Sequence, residues 1–125
     1  MVILVCGGRD FGGSGELCSE EAFAKMTAVL DEVAEQANGD IKVINGAAHG
    51  ADLLSSAWAR KRGFKYVEMP ADWNTLGKSA GPIRNQRMLD EFHPDRGIVF
   101  PGGRGTLDML TRLFYAGIPT QVVGK

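Results

Sequence analysis

The sequence predicts an α/β fold: a single-domain, doubly wound parallel sheet of Rossmann-like type, with about five strands and four helices across residues 1–125. Three observations lead there. Short, almost wholly apolar runs alternate along the chain with longer segments whose apolar residues recur at helical spacing, the pattern of strand–helix–strand units. The apolar runs lack the in–out alternation of a strand with one wet face, so they suit a parallel sheet covered on both sides. Glycine-rich corners follow three of the runs, and folds of this class bind ligands outside the carboxyl ends of their strands.

Val2–Cys6, "VILVC", is the first strand, bounded by Gly7-Gly8. Ser19 is placed to cap the next helix, with Glu20 and Glu21 in its first turn near the positive end of the dipole. Phe23, Met26, Val29, Leu30, Val33 and Ala37 form its buried stripe, and Asn38-Gly39 ends it. Ile41–Ile44 is the second strand. "NGAAHGAD" leads into a helix through Leu54, Ala57 and Trp58 that stops at Gly63. Lys65–Met69 is the third strand, closed by Pro70, and "PADWNTLGKSAGP" makes a long turn before a helix from about Ile83 to Glu91. Gly97–Phe100 is the fourth strand, Arg104–Tyr115 the fourth helix and Thr120–Val123 the last strand. The sequence contains no internal repeat, linker or low-complexity segment.

An apolar fraction of 44% and a charged fraction of 23% are those of an ordinary globular domain with one core. The net charge of −1 argues against non-specific binding to nucleic acid. Charge is uneven, however. Glu16 to Asp40 holds seven acids against Lys25 alone, whereas Lys42 to Arg104 holds ten bases and six acids, so local anion binding stays open. Cys6 and Cys18 lack the spacing of a redox or zinc pair, and His49 and His93 have no second histidine at ligand spacing, so neither a metal nor a cofactor is expected. The opening apolar run is too short for a signal peptide or a membrane span, and a cytoplasmic protein with no membrane partner is expected.

The corners carry the chemistry. "CGGRDFGG" follows the first strand, "NGAAHGAD" the second and "PGGRGT" the fourth. Glycine permits positive φ and lets a ligand approach the backbone, while the following helix offers unpaired amides and a positive dipole end to phosphate or carboxylate. Gly7, Gly8, Gly46, Gly50, Gly102, Gly103 and Gly105 are therefore candidate phosphate-binding residues. Arg9 and Asp10 sit on the first loop, where either can close over a ligand. Arg104 adds a cation at the last corner. Thr106 either caps the fourth helix or gives its hydroxyl to a phosphate. Asp108 either stabilises the dipole or faces a ligand's sugar. Asp52 either bonds a ribose hydroxyl or holds its loop. In "AGPIRNQRML", Arg84, Arg87 and Met88 share one helix side, and Arg84 can clamp an anion while Asn85 reads a base or ribose edge. Trp73 is placed to stack on a base or to plug a hydrophobic gap.

These motifs resemble those of a known superfamily. "PGGRGT" resembles the PGGxGT signature of the SLOG proteins, which group LOG-type phosphoribohydrolases with the Smf/DprA DNA-processing proteins. "RNQRM" resembles the RKxxM element of the LOG-type enzymes. Together with "CGGRDF", "NGAAHGADLLSSAWARKRG", "PADWNTLGKSAGPIRNQRM" and "FPGGRGTLDM", they resemble the small YspA-like family of bacteria and phages across nearly the whole chain. The resemblance implies a SLOG-type Rossmann-like nucleotide pocket and a homodimer or higher homo-oligomer. The LOG signature carries a catalytic glutamate where this chain has Met109, with Asp108 one residue early and about 100° around the helix.

The expected function is therefore binding of a nucleotide-derived, phosphate-containing ligand, such as a nucleoside monophosphate or an ADP-ribose-type molecule, for sensing or sequestration. The alternative is a phosphoribohydrolase cleaving the N-glycosidic bond of a nucleoside monophosphate, in which Asp108 and Arg84 take the catalytic roles. A weaker alternative is a DNA-processing accessory protein.

Overall fold

Val2–Cys6 forms strand β1, and the remaining elements follow as α1 (Glu16–Gln36), β2 (Lys42–Asn45), α2 (Ala51–Arg62), β3 (Lys65–Glu68), one-turn α3 (Trp73–Leu76), α4 (Ala80–Phe92), β4 (Arg96–Val99), α5 (Arg104–Tyr115) and β5 (Thr120–Val122). The computed structural model describes residues 1–8 and 16–124, with backbone alone at 16–19. The strands form one parallel sheet in the order β3-β2-β1-β4-β5. The five parallel strands and four long helices are the Rossmann-like arrangement the sequence predicts. Strand β1 is central, and the chain reverses its winding direction when it crosses from β3 to β4. The switch point, where such folds open a crevice, therefore lies between β1 and β4.

Alternation along the strands divides the core between two faces. Ile3, Val5, Val43, Ile98 and Phe100 pack with Met26, Leu30 and Val33 of α1 and with Trp58 and Ala59 of α2. Leu4, Cys6, Ile44 and Val99 point the other way, against Met88 and Leu89 of α4 and Met109 and Leu113 of α5. Each large apolar side chain buried in this way contributes about 1.5–3 kcal/mol. Helices α1 and α2 are also tied together by Asp31, which accepts bonds from Trp58 Nε1 at 2.8 Å and from Arg62 Nε and Nη2 at 2.9 and 2.8 Å.

Four expectations need correction. Helix α1 begins at Glu16, so Ser19 lies within its first turn rather than at its cap. The long turn after β3 contains α3, capped by Asp72 Oδ1 accepting from Thr75 N–H, and then a 3₁₀ turn at Gly77–Ser79. Helix α4 begins at Ala80, three residues early, because a first helical turn tolerates both Gly81 and Pro82: its amides have no intrahelical partner to lose. Finally, β3 and β5 are only partly buried, since each is an edge strand with a neighbour on one side. Strand limits otherwise move by a residue or two.

Candidate functional site

The carboxyl ends of β1, β2 and β4 open into a cleft of about 1520 Å³. It is walled by the three glycine corners, by α4 and the turn before it, and by Glu21 and Lys25 on α1. Its floor is knitted from backbone. Gly8 N–H donates to Pro101 O at 2.8 Å, Ala51 N–H to Gly8 O at 3.4 Å, and Phe100 N–H to Cys6 O at 2.8 Å. The corners touch closely: a Cβ on Gly8 would stand 2.8 Å from Gly102 Cα, and one on Gly102 would stand 2.5 Å from Gly8 N and 2.1 Å from Thr106 Oγ1. The chain's own atoms thus require glycine at these two positions. Gly103 and Gly105 differ, since among the described residues a Cβ on either would meet nothing within 4 Å beyond its own stretch of chain.

The β4–α5 corner leaves its helix end open. Gly103 is the N-cap of α5 and supplies no side-chain bond, so the first amides of a 12-residue helix emerge at the cleft beside Arg104. Thr106 is the third residue of that helix rather than its cap, which removes the capping role expected for it and leaves its hydroxyl against Gly102.

The β2–α2 corner has a different construction. Asn45, fully buried at the end of β2, donates through Nδ2 to Asp52 O, Ser55 Oγ and Ser56 Oγ at 2.8–2.9 Å. Its Oδ1 accepts from Ala47 N–H at 2.9 Å and steadies that residue at φ 60°, a left-handed conformation unusual for alanine. Asp52, 5% exposed in the first turn of α2, accepts through Oδ2 from Gly46 N–H at 3.0 Å and Ala48 N–H at 3.3 Å. Its Oδ1 is buried with no hydrogen-bond partner among the described residues. Burial pushes this carboxyl up to about 6, against the Ala48 bond, the Arg84 charge and the Gly46 bond. Gly50 caps α2 at φ 83° but does not line the cleft.

Helix α4 brings Arg84 and Asn85. Arg84 Nη1 donates to Gly46 O at 2.6 Å and Met69 O at 3.3 Å, and its Nε donates to Asn85 Oδ1 at 2.9 Å. A Cβ on Gly46 would lie 2.2 Å from Nη1, so the guanidinium seats only because that residue is glycine. Asn85, 3% exposed, donates onward to Asp108 Oδ2 at 3.0 Å and Gly105 O at 3.3 Å. Asp108 also pairs with Arg112 Nε at 2.8 Å. Partial burial pushes the Asp108 carboxyl up, but the bonds from Arg112 and Asn85 and the Arg112 charge outweigh this and hold it below its usual range. Met109, at the position of the LOG glutamate, is 1% exposed and packs in the core.

The structure therefore brings Gly7, Gly8, Gly46, Asp52, Arg84, Asn85, Gly102, Gly103, Arg104, Gly105, Thr106 and Asp108 to one cleft. Arg9 and Asp10 lie outside the described residues. Arg87, which shares a helix side with Arg84 in sequence, pairs with Glu91 on the exposed surface instead. Trp73 lines the cleft, 47% exposed and against Gly81. Sequence reasoning missed Asn45, Ala47 and the α1 residues. Among the described residues no three His, Cys, Asp or Glu side chains group as metal ligands, and no helix is long and apolar enough to cross a membrane.

Comparison with known proteins supplies a lineage. Residues 1–75 match the model of the YspA, cpYpsA-related SLOG family. That stretch holds the β1 and β2 corners, while α4 and "PGGRGT" lie beyond it. The Gene 61 protein of Mycobacterium phage D29 is 36% identical over 99 residues, covering 74% of this chain and 78% of that protein. Among solved structures, a UDP-N-acetylglucosamine 2-epimerase superposes with a TM-score of 0.58 at 20% identity, over 98% of this chain and 31% of its own. That likeness shows the fold alone, and the chain spans about a third of that structure's length.

Proposed function

The chain belongs to the YspA-related SLOG family, and from that premise we propose that its cleft binds a nucleotide-derived ligand through a phosphate held at the N-terminus of α5. The observation that carries this reading is the contrast within one wall. Gly8 and Gly102 are filled in by the chain itself, whereas among the described residues nothing crowds Gly103 or Gly105, and the N-cap Gly103 supplies no side-chain bond to the first amides of α5. Arg104 and the Thr106 hydroxyl stand at the same place, giving an anion both a charge and donors. Gly7, Gly8, Gly46 and Gly102 bring the corners close enough to form a continuous floor, and Arg84 braces the far wall. Trp73 lines the rim, where a base would reach it.

Binding is preferred to hydrolysis on geometry. Cleaving an N-glycosidic bond calls for a carboxylate turned on the sugar, yet Asp108 is committed to Arg112 and Asn85, and position 109 is a buried methionine. A nucleotide ligand makes this a cytoplasmic sensor or sequestering protein, with no call for a DNA-processing role. We further propose self-association through α5, whose Leu107 and Phe114 lie two turns apart on one side and are 63% and 76% exposed. Calorimetric titration with AMP, ADP-ribose, NAD and a cyclic nucleotide tests the ligand class. Micromolar or tighter binding of at least one is expected, and no heat from any would refute the reading.

A further inference from the structure

We propose that Asp52 is the specificity-determining residue of this cleft: its unpartnered carboxylate oxygen accepts a hydrogen bond from an O–H or N–H of the ligand, and its charge bars a second phosphate from the β2–α2 corner. The inference rests on the nucleotide reading above and adds a polarity to it.

On dipole grounds alone, both the β2–α2 and the β4–α5 corners would attract anions, since each leads into a 12-residue helix. The structure separates them. At the first, the amides of Gly46 and Ala48 already hold a carboxylate, the chain's own Asp52 Oδ2. At the second, the N-cap Gly103 supplies no side-chain bond, and among the described residues no side chain caps the helix. The first corner is thus internally neutralised and presents a carboxylate, whereas the second presents donors.

The remaining oxygen is the one that needs a partner. Asp52 Oδ1 is buried, and leaving a buried carboxylate oxygen unpaired is costly. Arg84 does not serve it by hydrogen bond: its Nη1 goes to Gly46 O and Met69 O, its Nε goes to Asn85, and it acts on Asp52 through space. The other two candidates for reading a sugar are engaged: Asn85 bonds Arg84, Asp108 and Gly105, while Asp108 bonds Asn85 and Arg112. Asp52 lines the cleft and is only 5% exposed, which leaves no room for a tetrahedral phosphate against its carboxylate.

Spacing fits the same ligand. Strands β2 and β4 flank β1, so the two corners stand two strand spacings apart, roughly 10 Å. The Gly7-Gly8 floor lies between them. A nucleoside phosphate spans that distance, with its phosphate at α5 and its ribose hydroxyls or ring amino group toward Asp52.

The test is a titration ladder on the wild-type protein and on Asp52→Asn, checked for folding by thermal melting. The ligands are AMP, its 2′-deoxy and 3′-deoxy forms, purine riboside 5′-monophosphate (which lacks the ring amino group) and adenosine 3′,5′-bisphosphate. For the wild type, loss of one donor is expected to weaken binding roughly ten- to a hundredfold, and the arm that weakens identifies hydroxyl or amino as the source. The added phosphate is expected to weaken it as well. In Asp52→Asn these differences should shrink to within about threefold. A wild-type ladder that is flat while AMP binds would overturn the role of Asp52 alone, even where the variant fails to fold, and so would a folded variant that keeps the wild-type preferences. If no member of the ladder binds the wild type, the nucleotide reading falls and takes this inference with it.

Discussion

Replacing Asp52 with asparagine should change how the ligand-free protein's stability responds to pH, and the size of the change follows from the site. Burial raises the carboxyl from its ordinary 3.8 to about 6; the Ala48 and Gly46 amides and the Arg84 charge oppose that rise, and Glu68 adds a further upward push. The folded value lies above the unfolded one, so the native state holds the proton longer. The stability this contributes is fully present below about pH 4 and is lost as pH rises through about 6. Two units at about 1.4 kcal/mol each make a total of ~3 kcal/mol. Between about pH 5 and 7, where an unfolded aspartate is already ionised, the loss comes to ~1.3 kcal/mol. Asp31 and Asp108 are held below the usual range, Asp31 chiefly by its hydrogen bond with Arg62, so their contributions are lost as pH falls, below this window. Urea unfolding at about pH 5 and 7 measures the effect, and groups common to both proteins cancel in the comparison. The wild type should lose about 1.3 kcal/mol more than Asp52→Asn over that interval. Parallel profiles would refute the argument that burial governs this carboxyl.

Gly105→Ala places a methyl that among the described residues meets nothing within 4 Å beyond its own helix, in the first turn of α5. Thermal melting should show stability unchanged or raised by up to about 1 kcal/mol, while calorimetry shows AMP binding weakened several-fold. Gly46→Ala sets a Cβ 2.2 Å from Arg84 Nη1 and should cost about 1–3 kcal/mol by chemical denaturation, because the guanidinium must leave its seat on the Gly46 carbonyl. Phe114→Glu, at a residue 76% exposed, should leave stability within about 0.5 kcal/mol while light scattering reports a shift from oligomer to monomer. An unchanged mass would remove α5 as the contact face.

How far the sequence could be read depended on whether local chemistry or tertiary geometry decided each feature. Strand β1 and helix α5 are found at their expected limits because each is bounded by a glycine corner that is plain in the sequence. The start of α4 was misread because "AGP" resembles a break, although Gly81 and Pro82 cost little in the one turn whose amides are unpaired anyway. Within the cleft, glycine marked the right corners but not the reason for each. Gly46 makes room for a guanidinium and Gly8 and Gly102 for each other's backbone, whereas among the described residues nothing crowds Gly103 or Gly105. Arg84 and Arg87 are equivalent by spacing, yet one reaches the floor and the other pairs with Glu91, a choice made by the packing of α4. For Asp52 the sequence left two roles open. The structure gives loop-holding to Oδ2 and leaves Oδ1 unpaired among the described residues, a division no pattern of residues reveals. Asn45 went unnoticed because an asparagine before glycine looks like a turn residue, when it is a fully buried anchor for α2.

A nucleotide's phosphate is expected at the N-terminus of α5, and amide chemical shifts of the isotope-labelled protein during titration with AMP report its position most directly. The largest changes should fall on Gly103, Arg104, Gly105 and Thr106, with a smaller set on Gly46 and Ala48. Binding that leaves those four amides unmoved while shifting others would contradict that placement.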